Sequence, residues 1–155
     1  MLQVRKVCTE DLSTLQRLAR ECPPLETHTQ YTYWVCVNYY AESSFILEKD
    51  GEPIGYIMAV DSPKDVFLWQ IGIIPRFRST GLSSMLVEAC FEYAKCVGKN
   101  IELTISEDNV ACYRAMKNFC RVHELPFLYC DDAIVLDADG TEFERERRYR
   151  IMVCS

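Results

Sequence analysis

Positive charge is in deficit in this chain of 155 residues, which has 17 lysines and arginines against 23 acidic residues and a formal net charge of −6. A field of that sign repels nucleic acid and anionic membranes, so we expect neither as a partner. Cationic or zwitterionic small molecules are more compatible with this net negative charge than anionic partners are. Apolar runs are also short, and none approaches the roughly 18 residues of a membrane-spanning helix. Because Arg5 and Lys6 precede any apolar run, we expect a soluble, cytoplasmic protein.

The sequence has no Cys-x-x-Cys pair, although it has nine cysteines. The nearest approach to a metal pattern is Cys120-x-x-His123, and without a second pair of ligands it predicts no metal site. Cys36, Cys90, Cys112 and Cys120 lie in apolar runs, which is typical of small core residues in a reducing compartment. No cysteine is paired with a nearby histidine in a recognisable motif, which argues against covalent catalysis.

The composition, with 49% hydrophobic and 26% charged residues, is that of an ordinary globular domain. The length predicts a single domain over residues 1–155 with a sizeable core. Strands are predicted over residues 2–7, 44–48, 53–60, 66–74, 101–105, 124–130 and 147–153, and helices after Thr9, from Gly81 to Gly98 and after Asp108. The order βααβββαβαββ predicts an α/β (α+β) fold in which helices cover a mixed sheet.

The aromatic-rich segment 27–41 carries no charge and is predicted to be helix or loop, either packed in the core or forming a pocket wall.

A second informative segment, WQIGIIPRFRSTGLSS at residues 69–84, contains a strand, a basic turn and the start of a helix. The first N–H groups of a helix can bind a phosphate or pyrophosphate, and Gly81 permits close approach. Charge comes from Arg76 and Arg78, and hydroxyl donors come from Ser79, Thr80 and Ser83. The alternative is a solvated turn whose arginines only aid solubility.

The pattern Arg78-x-x-Gly81-x-Ser83 after the central strand, together with the element order, resembles the GNAT superfamily of N-acetyltransferases. Within it, CPPLETHTQYTY (residues 22–33), FLWQIGI (residues 67–73) and Asp108-Asn109-x-Ala111 are similar to the diaminobutyrate acetyltransferases of the ectoine pathway. The resemblance implies a mixed, mostly antiparallel sheet with helices on both faces. It also implies transfer of an acetyl group from acetyl-CoA to an amine of a small diamino acid such as L-2,4-diaminobutyrate, and it leaves a homodimer open.

Site residues follow from the same resemblance. It assigns coenzyme A contacts to Ile71, Gly72, Ile73, Arg76, Arg78, Ser79, Thr80, Gly81, Leu82, Ser83 and Asn109. It assigns the acceptor pocket to Glu26, Tyr31, Tyr33 and Trp69. Glu144 is a further candidate for this pocket, on the strand pattern described below. A carboxylate at Glu26 can pair with an ammonium group of the acceptor and attract a cationic diamine.

The sequence also departs from the family. Serines and Thr80 replace glycines of the turn, and Met116 stands where many members have a tyrosine that protonates the leaving thiolate. The nearest hydroxyl is that of Tyr113. A C-terminal histidine is missing, but Glu144 and Glu146 share one face of a predicted strand.

The candidate catalytic residues are therefore Glu26, Tyr113 and Glu146. The interleaved Arg145, Arg147 and Arg148 favour the alternative that residues 144–148 form a solvated, salt-bridged strand. Two other functions stay open: the same fold acting on a different amine, and a catalytically silent acyl-CoA-binding or interaction module.

Overall fold

A mixed sheet forms the centre of the structure, a computed structural model that describes residues 1–23 and 28–154. Within these residues the sheet has seven strands in the order β1-β2-β3-β4-β5-β7-β6. The strands are β1 (Leu2–Lys6), β2 (Phe45–Lys49), β3 (Glu52–Asp61), β4 (Asp65–Ile73), β5 (Asn100–Ile105), β6 (Phe127–Leu136) and β7 (Glu142–Ile151). The β4 and β5 strands are parallel, and the other neighbouring pairs are antiparallel. This confirms the expected mixed, mostly antiparallel sheet.

Helices cover the sheet on both faces. They are α1 (Leu12–Arg20), α2 (Gln30–Tyr39), α3 (Ser83–Val97) and α4 (Val110–Val122). Residues 54–59 of β3 are all buried, and consecutive buried positions mean that both faces of the strand are covered. Both α1 and α3 contact β3. The predicted order βααβββαβαββ and the fold class are confirmed.

Local signals place most of the element ends. Gly98 has φ +72° and ends α3 in the left-handed conformation that glycine favours. Asp50 and Gly51, also at positive φ, form the turn between β2 and β3. The predicted cap of α4 at Asp108 is wrong by one residue, because the side chain of Asn109 accepts the hydrogen bond from the N–H of Cys112 at 3.2 Å.

The last two strands differ most from their predicted bounds of 124–130 and 147–153. They extend to Leu136 and begin at Glu142, so that they form a long hairpin closed by a turn at residues 137–141. Most of this hairpin is exposed, so its sequence lacks the alternation of a strand with one buried face. Cross-strand ion pairs such as Arg145–Asp132 and Arg148–Asp131 accompany the pairing.

The β4 strand was predicted to be buried on both faces, and the structure corrects this. Its middle is open: Trp69 is 39% exposed, and Gln70 and Ile71 are half-buried. Two irregularities are responsible. Trp69 lies in a β-bulge, because Met58 pairs with Gln70 whereas the next residue of β3 pairs with Leu68. In addition, β4 pairs with β5 only over Asp65–Leu68, so the two strands separate beyond that point.

The cysteines follow the burial expected of them with one exception. Cys36, Cys90 and Cys120 are buried, as is Cys22, whereas Cys112 is only half-buried.

No helix in the described residues is long and apolar enough to cross a membrane.

Candidate active site

A cavity of about 710 Å³ occupies the gap between the separating strands β4 and β5. Its walls are residues 68–73 of β4, residues 81–84 at the start of α3, residues 103–106 at the end of β5, one face of α4, and Glu146 of β7. The gap therefore brings together elements that are far apart in the sequence. It forms because β4 is no longer paired with β5 beyond Leu68.

One end of the cavity lies at the N-terminus of α3. The N–H groups of residues 79–83 donate no hydrogen bond to the described part of the chain. Gly81 has φ +77°, and a Cβ added there would have no heavy atom within 4 Å, so the backbone faces open space. Unpaired N–H groups at a helix N-terminus bind anions, and this turn has the geometry for a phosphate or pyrophosphate.

Two arginines flank that turn, and the structure separates their roles. Arg78 lines the cavity, while its Nε donates to the carbonyl of Ile73 at 2.9 Å and its Nη2 donates to the carbonyl of Pro23 at 2.6 Å. Arg76 instead forms an ion pair with Glu52 at 3.3 Å and lies 4.8 Å from the ring centroid of Phe77. Arg76 is absent from the described cavity lining.

The other predicted coenzyme residues are distributed as follows. Ile71, Gly72, Ile73, Ser79, Gly81, Leu82, Ser83 and Asn109 line the cavity. Thr80 is not among the described lining residues, and its hydroxyl donates to the carbonyl of Phe77 at 2.6 Å. The hydroxyl of Ser84, which the sequence did not single out, lines the cavity and donates to the carbonyl of Gly81 at 2.6 Å.

An aromatic group surrounds the middle of β4. Trp69 lines the cavity, and its ring centroid lies 5.1 Å from that of His28. The backbone N–H of His28 donates to the hydroxyl of the buried Tyr33 at 3.2 Å. Tyr31, by contrast, is 71% exposed and stacks on Trp34. Glu26 and the Pro24-Leu25 pair beside it lie outside the described residues.

The β7 strand contributes one carboxyl group to the described lining of the cavity. Glu146 is part of its lining, and Glu144 is exposed on the same strand. A hydrogen bond with Glu146 raises the pKa of Glu144. Burial, with a smaller contribution from Glu146, raises the pKa of the Cys112 thiol. Glu146 is thus in electrostatic contact with both a carboxyl group and a thiol at the cavity wall.

Tyr113 lies outside the described lining of the cavity. Its ring centroid is 5.7 Å from that of Tyr149 and 6.0 Å from that of Phe127, so it packs against the sheet. Met116 is 3% exposed and lines the cavity.

Sequence reasoning missed Gln70 and Cys112 as cavity residues. Gln70 had a signal, because it is a polar residue within the apolar run 66–74. The apolar run around Cys112 predicts a core position, but the residue is half-buried and lines the cavity.

Comparison with known proteins identifies the class. A model of the acetyltransferase (GNAT) family matches residues 12–119, which is more than half of the chain. The chain therefore belongs to the GNAT family of acetyltransferases, whose acetyl donor is acetyl-CoA.

Within this family the chain is similar to L-2,4-diaminobutyric acid acetyltransferases. It is 27% identical over 155 residues to the enzyme of Halomonas elongata, covering 97% of this chain and 80% of the relative. It is 32% identical over 124 residues to that of Streptomyces coelicolor, covering 76% and 73%. For the relative from Vibrio parahaemolyticus, 33% identity extends over 104 residues and over 58% of the relative's length.

Solved structures share the fold. Diaminobutyrate acetyltransferase EctA from Paenibacillus lautus, in complex with L-2,4-diaminobutyric acid and coenzyme A, matches with a TM-score of 0.78 and 22% identity over 97% of this chain and 94% of that one. The ribosomal-protein-S18-alanine N-acetyltransferase of Escherichia coli matches with a TM-score of 0.77 and 15% identity over 100% and 96%. Enzymes with small and with protein acceptors thus have this fold, so the fold does not select the acceptor.

Proposed function

We propose that the protein transfers the acetyl group of acetyl-CoA to an amine of a small diamino acid, with L-2,4-diaminobutyrate as the first candidate. The observation that carries the proposal is the separation of β4 from β5 beyond Leu68, which joins an anion-binding helix N-terminus and an aromatic pocket in one cavity. The similarity to diaminobutyrate acetyltransferases supports the choice of acceptor.

The coenzyme half of the cavity has groups that could hold the pyrophosphate and the pantetheine arm of the ligand. The N–H groups of residues 79–83 and the remaining N–H groups of Arg78 would hold the pyrophosphate. Residues 69–73 of β4 have no strand partner on the β5 side within the described chain. Alternate N–H and C=O groups on that edge are available to the amides of the pantetheine arm, which would lie beside Ile71–Ile73 like an added strand. Asn109 would contact the arm near its end.

The acceptor half would be built around Trp69. Its ring, with His28 and Tyr33 behind it, forms a wall against which a short carbon chain can pack. Glu26 is proposed to pair with an ammonium group of the acceptor. Tyr31 stays a predicted pocket residue. Because its side chain is 71% exposed, a contact with the acceptor would cover it from the solvent side.

Acetyl-CoA supplies a thioester carbonyl that a neutral amine can attack. The amine must first lose its proton, and Glu146 is the proposed base, directly or through water. Glu144, two residues from Glu146 and on the same face of β7, is proposed to contact the acceptor. Backbone N–H groups on the open edge of β4 can stabilise negative charge on the carbonyl oxygen. Tyr113 stays the predicted proton donor to the leaving thiolate, although a movement of its ring would be needed.

Further features of the protein are part of the proposal. We infer a single domain over residues 1–155 and a cytoplasmic location, which the burial of Cys22, Cys36, Cys90 and Cys120 as free thiols supports. A homodimer stays a prediction.

A thiol-release assay with acetyl-CoA tests the proposal across diamino acids, plain diamines, monoamino acids and polyamines. We expect thiol release with L-2,4-diaminobutyrate and a much lower kcat/KM with amino acids that have one amine. Preference for another amine would overturn the choice of acceptor. Binding of acetyl-CoA without thiol release for any amine would favour a silent acyl-CoA-binding module, the alternative suggested by Met116 at the usual tyrosine position.

A further inference from the structure

We propose that Arg78 is a positioning residue that couples the two halves of the cavity, so that bound coenzyme A raises the affinity for the acceptor amine. This inference deepens the proposed function and rests on it, because the coenzyme and acceptor sites are taken from there. It adds an energetic link between the two sites and names the side chain that carries it.

The guanidinium of Arg78 joins two elements that are remote in the sequence. Its Nε donates to the carbonyl of Ile73, the last residue of β4, at 2.9 Å, and its Nη2 donates to the carbonyl of Pro23, which follows α1, at 2.6 Å. The guanidinium also lies beside the thiol of Cys22: burial raises the pKa of that thiol, and the charge of Arg78 opposes the shift. One side chain therefore links the chain after α1 to the strand that forms the cavity wall.

A short turn sets the position of Arg78. Residues Pro75–Phe77 form a 3-10 turn, and the N–H of Arg78 donates to the carbonyl of Pro75 at 3.1 Å. The N–H of Ile74 donates to the carbonyl of Ile54 at 2.9 Å, so the sheet holds the start of the turn. Hydrogen bonds within the chain thus hold the guanidinium in place, and a donor that is already held loses less conformational entropy when it binds an anion.

The positive charge of Arg78 faces the coenzyme half of the cavity. Both of its hydrogen-bond acceptors are neutral carbonyl oxygens, so they use N–H groups of the guanidinium without neutralising its charge. Arg78 lines the cavity beside residues 79–83, where the pyrophosphate is proposed to bind. Further N–H groups of the planar fork can donate to phosphate oxygens while the bonds to Ile73 and Pro23 stay in place.

The Pro23 end of this link leads to the acceptor half. Pro23 and His28 are the described residues that precede and follow the segment of Glu26, which is proposed to pair with the acceptor. The ring centroid of His28 lies 5.1 Å from that of Trp69 in β4. Arg78 and Trp69 thus contact the two residues that flank this segment, so a displacement of Arg78 would be transmitted to the acceptor half through Pro23.

A side chain that contacts both halves couples them in both directions. Pyrophosphate bound to Arg78 fixes the guanidinium and, with it, the carbonyl of Pro23, so that less ordering is left for the acceptor to impose. By thermodynamic reciprocity the acceptor then raises the affinity for coenzyme A by the same factor. We expect a factor of at least about five, the lower end of the usual coupling between two sites.

Isothermal titration calorimetry measures this coupling with coenzyme A itself, which has no acetyl group to transfer. The Kd of L-2,4-diaminobutyrate is determined for the protein alone and for the protein saturated with coenzyme A, and the coupling factor is the first Kd divided by the second. The reciprocal titration, of coenzyme A with and without saturating L-2,4-diaminobutyrate, should give the same factor in the wild type.

Arg78→Lys separates the positioning role from the charge. Lysine keeps a positive charge for the pyrophosphate, but its ammonium group lacks the planar fork that reaches Ile73 and Pro23 together. We expect the coupling factor to fall to about one to two, while the Kd of coenzyme A rises by less than about tenfold.

Arg20→Lys is the matched control. Arg20 is the last residue of α1, its Nε also donates to a backbone carbonyl, that of Gln16 at 3.4 Å, and it is absent from the described cavity lining. The control should keep the wild-type coupling factor.

The outcomes separate this inference from the proposed function. A merely structural role of Arg78 would lower the melting temperature without changing the coupling factor, so an Arg78→Lys protein with the wild-type factor would overturn the inference alone. A factor of one in the wild type would also overturn it. If the wild type with coenzyme A binds no L-2,4-diaminobutyrate and releases no thiol from acetyl-CoA with any amine, the proposed function fails and the inference fails with it.

A second variant serves if Arg78→Lys does not fold. Arg78→Gln keeps an NH2 group that can donate to one carbonyl but has no charge for the pyrophosphate. Its coupling factor should also be about one, and a wild-type factor in this variant would contradict the role of Arg78.

Discussion

A single added charge at Gly81 tests whether the N-terminus of α3 binds the pyrophosphate of coenzyme A. Gly81 has φ +77°, a conformation that asparagine and aspartate tolerate better than other side chains, and a Cβ there meets no atom within 4 Å. Gly81→Asp and Gly81→Asn should therefore fold alike. They differ by one charge, which isolates the electrostatic contribution from the steric one.

The magnitude follows from Coulomb's law. A carboxylate about 5 Å from one negative charge of the ligand costs about 1–3 kcal/mol at an effective dielectric constant between those of water and a protein surface. Since 1.4 kcal/mol corresponds to tenfold, the Kd for coenzyme A should be about five- to 150-fold higher in Gly81→Asp than in Gly81→Asn. This electrostatic repulsion should also decrease as salt is added, because the turn is solvent-accessible.

Isothermal titration calorimetry with coenzyme A measures both Kd values, at low salt and again near 0.5 M salt, where the Debye length is about 4–5 Å. Equal Kd values for the two variants at low salt would refute the reasoning, because the pyrophosphate would then lie elsewhere. A large difference that salt does not reduce would mean that the added carboxylate and the pyrophosphate are shielded from dissolved ions, which would contradict a solvent-accessible turn.

Three further outcomes are expected. Gly55→Ala should lower the free energy of unfolding by about 1–3 kcal/mol in urea titrations, because its Cβ would lie 2.9 Å from the carbonyl oxygen of Gly72; unchanged stability would show that β4 can move away. Burial opposes the charge of Asp11, but hydrogen bonds from Arg5 and a backbone N–H outweigh it and lower its pKa. The ionised Asp11 stabilises the fold fully above its ordinary pKa of 3.8, and this contribution is lost as pH falls through the lowered pKa. Asp11→Asn should therefore cost about 2 kcal/mol at pH 7 and progressively less as the pH falls below 3.8. All nine cysteines should be alkylated in the denatured, unreduced protein, as measured by mass; two or more disulfides would contradict the reducing compartment.

Local sequence signals determined much of the fold. Periodic apolar residues place α3, Gly98 ends it at positive φ, and the Asp50-Gly51 pair turns β2 into β3. These features depend on neighbours along the chain, so the sequence predicts them directly. The turn 78–83 was recognised in the same way, since a helix N-terminus is a local structure.

The last hairpin and the cavity depended on contacts between distant residues. The exposed strands β6 and β7 have little buried pattern, and their bounds follow from pairing with each other and with β5. Likewise, the residues of β4 do not predict the position at which its pairing with β5 ends. That separation at Leu68 makes room for the cavity.

Tertiary structure also decided which candidate residues share the cavity. Arg76 turns to Glu52 and Tyr113 packs on Tyr149, although both lie beside cavity residues in the sequence. Gln70 lines the pocket next to the bulge that interrupts the alternation of β4, and its Oε1 accepts a hydrogen bond from the hydroxyl of Tyr56 on β3. Spacing along the chain fixes which residues are close to the site, but the direction of each side chain is set by partners that are remote in sequence.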